Sequence, residues 1–292
     1  MLMDHFDAEY HHHHTHAAAS HHPGRHHLLS VEDLSVSFDM YDPGAPYFRA
    51  PRVRQEVLRD LTVSVHAGEV LAVVGASGSG KTVLADSIMG SFPRNAYVTG
   101  RIWFDGRLQD ASSLRRLCGR GISLVPQGSQ HLDPTMPVGL QVLGRSRSLK
   151  RRRAMEALFS SYGLDRGVMD LYPHELSGGM VRRVLLMCAL MDNPRLIIAD
   201  EPTPGLDLDL AVHALDDLRG FANKGGAVML ITHDIELALR VADRVAVFAD
   251  GTVVEETSVE SFEDPARLRH PFSRALWHAM PEHDFCGKGA CK

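Results

Sequence analysis

Eight consecutive residues, Gly75, Ala76, Ser77, Gly78, Ser79, Gly80, Lys81 and Thr82, match the pattern G-x-x-x-x-G-K-[ST]. The chemistry this spacing suits is phosphate binding. Glycines let successive backbone N–H groups converge on the β- and γ-phosphates, and a helix opening behind the loop adds its positive end. Lys81 supplies a point charge, and the Thr82 hydroxyl is the hard oxygen that Mg²⁺ prefers. Val83, the next residue, belongs to the same nucleotide-binding set.

A second candidate group ends the run Leu196, Ile197, Ile198, Ala199, Asp200, Glu201. Asp200 is placed to hold the Mg²⁺ shell. Glu201, one residue on, is placed to polarise an attacking water as general base. An acidic pair at the end of an apolar run is, taken alone, an ordinary strand exit or helix cap. Its occurrence in one chain with a phosphate loop favours the catalytic reading.

These groups need rigid elements to hold them. The run 70–74 before the loop is continuously apolar, 195–200 and 227–232 read as further apolar strands, and a helical pattern at 208–223 separates the last two. Apolar strands alternating with helices predict an α/β domain with a parallel sheet covered on both faces. Two segments of alternating apolar residues, 28–38 and 57–65, predict further strands, joined by a loop rich in Pro and Gly that reaches to about residue 54. The stretch 132–190 is mostly helical in pattern and carries the basic run 145–153, and no internal repeat is visible.

The formal net charge of −5 over 292 residues gives no overall basic field that would attract nucleic acid. The longest apolar runs, 70–74 and 184–191, fall far short of the roughly 20 residues a membrane helix needs. Residues 1–27 hold ten of the 18 histidines and lack the apolar stretch of a secretory signal, which predicts a mobile tail and a cytosolic location. Cys118 and Cys188 are isolated and only Cys286 and Cys291 lie close together, so no disulfide framework is indicated.

Ser177, Gly178 and Gly179, within Leu176 to Met180 and directly ahead of the helical run 181–191, form a small anion-binding helix start. With this pentapeptide the chain resembles the ATP-binding cassette (ABC) family from about residue 28 to residue 281. The resemblance implies a phosphate-loop (P-loop) NTPase core with a mainly parallel sheet, an antiparallel β subdomain and a helical subdomain. It places the ATPase domain at 28–265 with the helical subdomain at about 132–190, and a C-terminal extension at 266–292. It also implies a head-to-tail dimer in which Ser177, Gly178 and Gly179 reach the γ-phosphate held by the partner. Gln127 then resembles the glutamine that senses Mg²⁺ and the attacking water, Leu206 and Asp207 the loop that faces the partner, and His233 the histidine that contacts the γ-phosphate. Phe38 matches best the aromatic that stacks on adenine, with Tyr41 the weaker candidate. Pro204-Gly205 and Val181-Arg182-Arg183 depart from the commoner residues of the family.

The segment from His270 to Pro281 looks like the one that marks oligopeptide, dipeptide and nickel importers, and Gly178-Gly179-Met180 leans the same way and toward the nickel and metal-chelate members of that group. That similarity implies an ATPase that works with transmembrane permeases at the cytoplasmic face of a membrane. A second cassette subunit, in a heterodimer or a homodimer, and an extracytoplasmic binding protein would complete the system. The cargo stays open between peptides and nickel or a metal chelate. The histidine tail suits Ni²⁺ or another transition metal, since neutral imidazole binds these ions well, or is simply a solvated low-complexity or cloning segment. Cys286 and Cys291 offer two soft ligands, too few for a closed tetrahedral site. The alternative from another class is a non-transport cassette acting on a ribosome or DNA complex; the single cassette and the importer-type C-terminus disfavour it.

Overall fold

The computed structural model describes residues 27–41, 51–128, 131–144, 146–262 and 264–280. The chain opens with strands β1 (His27–Tyr41), β2 (Arg52–His66) and β3 (Val70–Gly75), followed by helix α1 (Lys81–Ile88). Strands β4 (Ala96–Phe104) and β5 (Arg107–Gln109), helix α2 (Ala111–Leu117) and strand β6 (Ile122–Val125) come next. Three helices then succeed one another, α3 (Val138–Leu143), α4 (Leu149–Ser161) and α5 (Gly178–Asp192). The remainder is β7 (Leu196–Asp200), α6 (Leu208–Asn223), β8 (Ala227–Thr232), α7 (Ile235–Leu239), β9 (Arg244–Ala249), β10 (Thr252–Ser258), α8 (Val259–Phe262) and α9 (Pro271–His278).

Two sheets result. The six-stranded sheet has the order β10-β9-β3-β8-β7-β6 and is parallel except for β10, which runs against β9. The four-stranded sheet, β2-β1-β4-β5, is wholly antiparallel. Every residue of β3, β7 and β8 is buried, as their unbroken apolar runs require, because a parallel strand in mid-sheet has no face in water. Side chains of β3 divide alternately between two cores. Val70, Ala72 and Val74 join the cluster formed with α3 to α6, while Leu71 and Val73 join the cluster formed with α1 and the antiparallel sheet. The site at the end of β3 is thus held from both faces.

The helices begin where capping residues permit. Asp207 accepts from the N–H of Leu210 at the start of α6, and Ser148 from that of Arg151 at the start of α4. The α6 and β8 bounds agree with the sequence pattern, but β1 and β2 run further than predicted. Tyr41 pairs with Arg52 and Asp39 with Arg54, in a segment whose side chains on β2 are exposed. A two-stranded extension in water satisfies its backbone by pairing and needs no apolar alternation, so the pattern that reveals buried strands does not reveal it.

Buried charge joins the two sheets. Glu69, fully buried ahead of β3, accepts at 2.7 Å from both the backbone N–H of His66 and the guanidinium of Arg244, and its carboxylate lies 2.5 Å from His66 Nδ1. Arg244 also pairs with Glu256 on β10. On β10, Glu255 accepts from the backbone N–H groups of Arg269 (2.7 Å) and His270 (3.0 Å), and further on the Trp277 indole donates to the Phe262 carbonyl. Among the described residues no helix is long and apolar enough to cross a membrane.

Candidate active site

The loop between β3 and α1 is shaped by what surrounds its glycines. A Cβ on Gly75 would lie 2.1 Å from the Phe248 carbonyl oxygen of the neighbouring strand β9, so only glycine fits there. Gly80 caps α1 in the left-handed region, with φ of 107°, where an L side chain is disfavoured. Lys81, the first residue of α1, is 7% exposed and curls back into the loop. Its Nζ donates to the Gly75 and Ala76 carbonyl oxygens at 2.8 Å each and approaches Ser79 Oγ at 3.4 Å. Burial pushes the Lys81 ammonium below its ordinary range, and the charges of Glu201 and Asp200 oppose that fall.

The acidic pair lies across from the loop, where β7 ends. Asp200 is buried at the last position of the strand, which pushes its carboxyl up; a hydrogen bond with Thr82 pulls it down, Glu201 and Asp86 push it further up, and Lys81 pulls it down. A carboxylate and a hydroxyl brought together beside a phosphate loop form an oxygen donor set that fits Mg²⁺. Glu201 takes φ of 51°, unusual for a residue with a side chain, and its N–H donates to the Ile231 carbonyl of β8 at 2.9 Å. That turn aims its carboxylate at the end of β8. Thr232 Oγ1 donates to Oε2 at 3.3 Å, and His233 Nδ1 lies 2.9 Å from Oε1.

A cleft of about 520 Å³ brings together Ser77, Gly78, Gly80, Lys81, Thr82, Val83, Gln127, Asp200, Glu201 and His233. Residues 77 to 83 come from the loop and α1, and the last four from the ends of β6, β7 and β8. Open parallel sheets carry ligand sites at the carboxyl ends of their strands for this reason: loops there converge while the strands stay fixed. Gly75 and Ala76 stand behind the cleft as acceptors for Lys81.

Other expected residues lie elsewhere. Phe38 sits half-buried on β1, packed on the second core, and does not line the cleft. Tyr41 is 59% exposed, with the Arg52 guanidinium 5.5 Å from its ring centre. Ser177, Gly178 and Gly179 open α5 outside the cleft; Ser177 is the cap, accepting from the N–H of Met180. Two residues enter that were not expected. Val57 of β2 lines the cleft, as an outward neighbour of buried Leu58, a position for which strand alternation carries no functional signal. Arg182 of α5 donates Nη1 to the Glu201 carbonyl at 2.6 Å and Nη2 to the Gln127 carbonyl at 3.1 Å. Its sequence signal was an arginine where related cassettes commonly differ.

The histidine-rich residues up to 26, together with Cys286 and Cys291, lie outside the described residues. Among the described residues no cluster of three or more His, Cys, Asp or Glu side chains is arranged to hold a metal ion.

Comparison with known proteins agrees with this architecture. The ABC transporter family model matches residues 58–204. The chain is 34% identical over 277 residues to the oligopeptide transport ATP-binding protein OppD of Bacillus subtilis (strain 168), covering 89% of this chain and 74% of that protein. It is 35% identical over 271 residues to the dipeptide transport ATP-binding protein DppD of Escherichia coli (strain K12), covering 87% and 79%. Its fold matches, with a TM-score of 0.67 and 24% identity over 80% of this chain and 99% of the other, a dimeric ATP-binding cassette in a post-hydrolysis state bound to ADP and Pi. With its phosphate loop, acidic strand end and capped α5 in these relative positions, the chain belongs to the ABC transporter family as an ATP-binding cassette ATPase.

Proposed function

We propose that the chain is the ATP-hydrolysing subunit of an importer of short peptides, bound to the cytoplasmic face of a membrane through partner permeases. The observation that carries the hydrolytic part is the Glu201 carboxylate, fixed by Thr232 and His233 within the cleft that Lys81 and Thr82 also line. The phosphate loop binds the triphosphate, and Lys81 exchanges its carbonyl partners for phosphate oxygens. Thr82, Asp200 and the side chain of Gln127 would hold Mg²⁺, which neutralises charge on the phosphates. Glu201 takes a proton from the attacking water, and His233 steadies the γ-phosphate. Adenine stacks at the rim, with Phe38 the aromatic closest to that role.

The active unit is a dimer of cassettes, because Ser177, Gly178 and Gly179 lie outside the cleft of their own chain while a helix start of this kind suits a phosphate. The fold match to a dimeric cassette bound to ADP and Pi supports that arrangement. The second cassette is a homologous subunit or a second copy, and an extracytoplasmic binding protein delivers the cargo. Residues 28–265 form the ATPase domain, with 132–190 its helical part, and 266–292 an extension in which the backbone N–H groups of Arg269 and His270 donate to Glu255 of β10.

The peptide assignment rests on the relatives, which are named for oligopeptide and dipeptide transport. The histidine-rich tail adds a metal-binding function, binding Ni²⁺ or a similar ion at the cytoplasmic side. Reconstitution in proteoliposomes with the permeases and binding protein tests the whole reading. ATP-dependent uptake of labelled di- to pentapeptides is expected; uptake of Ni²⁺ alone would replace peptide by metal as the cargo.

A further inference from the structure

One guanidinium spans three parts of this site. Arg182 lies in the second turn of α5, five residues beyond the Ser177 cap, and is half-buried. Its two terminal nitrogens donate to the carbonyl oxygens of Glu201 and Gln127, 2.6 and 3.1 Å away. Glu201 itself sits in the left-handed region, φ 51°, a conformation that costs energy for a residue with a Cβ and persists only when its neighbours enforce it. Two contacts hold its backbone: its N–H on Ile231 of β8 and its carbonyl on Arg182 of α5. Without the second, only Thr232 and His233, which bind the carboxylate oxygens, and the N–H bond to Ile231 would resist a turn of the peptide plane after Glu201.

The adjacent arginine does different work. Arg183 donates to the Gly179 carbonyl at 3.2 Å within its own helix and to the Tyr162 carbonyl at 2.8 Å at the end of α4, so it fastens helix to helix. Arg182 instead leaves the helical layer and reaches the segments after β6 and β7. The first turn of α5 touches the second of these segments again, where a Cβ on Gly179 would stand 3.1 Å from the Gly205 carbonyl oxygen. A planar fork suits the double contact, since it offers two donors at a fixed separation, which a lysine ammonium does not.

We infer that Arg182 is a positioning residue that holds the backbones of Glu201 and Gln127 for hydrolysis and makes their placement depend on how the N-terminus of α5 is engaged. The inference rests on the assignment of Glu201 as general base. Binding at Ser177 to Gly179 that shifts α5 is passed through one side chain to the base and to the metal-sensing glutamine.

The test compares R182A, R182K, E201Q and the double variant R182A/E201Q as full-length chains, measuring ATP affinity, steady-state hydrolysis and thermal unfolding. R182A is expected to lower kcat about 10²-fold, as a small misplacement of a catalytic group does, with ATP affinity kept within about threefold. R182K should recover part of that loss, through one carbonyl contact, and it keeps the test alive if R182A unfolds. In the E201Q background, R182A should reduce the residual turnover by far less than about 10²-fold, because only its hold on the Gln127 carbonyl is left to lose. Unchanged kcat in folded R182A, or losses that multiply in the double variant, overturns the positioning role while leaving Glu201 as base. Near-normal turnover of E201Q overturns the base assignment and the positioning role with it.

Discussion

Glu201 and His233, 32 positions apart in sequence, meet at 2.9 Å because the parallel neighbours β7 and β8 end within one residue of the same level. The register pairs Asp200 with Ile231, one residue before β8 ends, and Glu201 and His233, the residues after the two strands, both line the cleft. The histidine and Thr232 bind the two carboxylate oxygens separately, which fixes the carboxylate plane before any substrate arrives.

Glu201→Gln is expected to reduce turnover at least 10²-fold while ATP binding stays within about threefold, since the amide keeps the shape but cannot accept the proton. Lys81→Ala should act oppositely, weakening ATP binding itself. Nucleotide titration and phosphate release measured on the same preparations separate the two.

If Ser177, Gly178 and Gly179 serve a partner's phosphates, hydrolysis per chain falls on dilution and recovers when the partner cassette is added. Specific activity measured over a wide concentration range checks this; a flat, high value at great dilution contradicts a shared site.

Gly75→Ala places a methyl 2.1 Å from the Phe248 carbonyl oxygen, and the two residues lie opposite each other on paired strands. A loss of about 1–3 kcal/mol is expected, as for other overpacked positions, with weaker ATP binding because the loop begins at this residue. Thermal melts with and without Mg-ATP would show both.

Glu69 ties stability to pH. Burial pushes its carboxyl up, but the His66 bond, the Arg244 charge and further bonds from both residues outweigh it, so the folded-state value falls below the ordinary 4.5. A depressed carboxyl stabilises the fold above 4.5, and that contribution is lost as pH drops through the lowered value. Denaturant midpoints should therefore fall as pH drops below about 4.5, and Glu69→Gln should flatten this limb. The variant should also cost about 3–5 kcal/mol at neutral pH, because it strips a buried partner from Arg244.

The histidine tail is expected to bind Ni²⁺ at neutral pH and release it below about pH 6 as its imidazoles protonate. Calorimetric titration of the full chain against one starting at Leu28 measures this. Equal affinity in the two would place the metal elsewhere.

Local sequence determined the parts whose constraints are local. Residues 75 to 82 declare a phosphate loop because phosphate binding needs glycine, lysine and threonine at fixed spacing, and the apolar runs at 70–74 and 227–232 declare buried parallel strands because no face of theirs meets water. The order of the motifs along the chain was enough to indicate the family. Tertiary structure decided what depends on proximity between distant segments: that β7 and β8 bring Glu201 to His233, that Val57 rather than Phe38 lines the cleft, and that Arg182 rather than Arg183 reaches the backbones of Glu201 and Gln127. Two adjacent arginines have the same composition and propensity, but successive side chains leave a helix about 100° apart, and only the packing of α5 determines which one faces the ends of the strands.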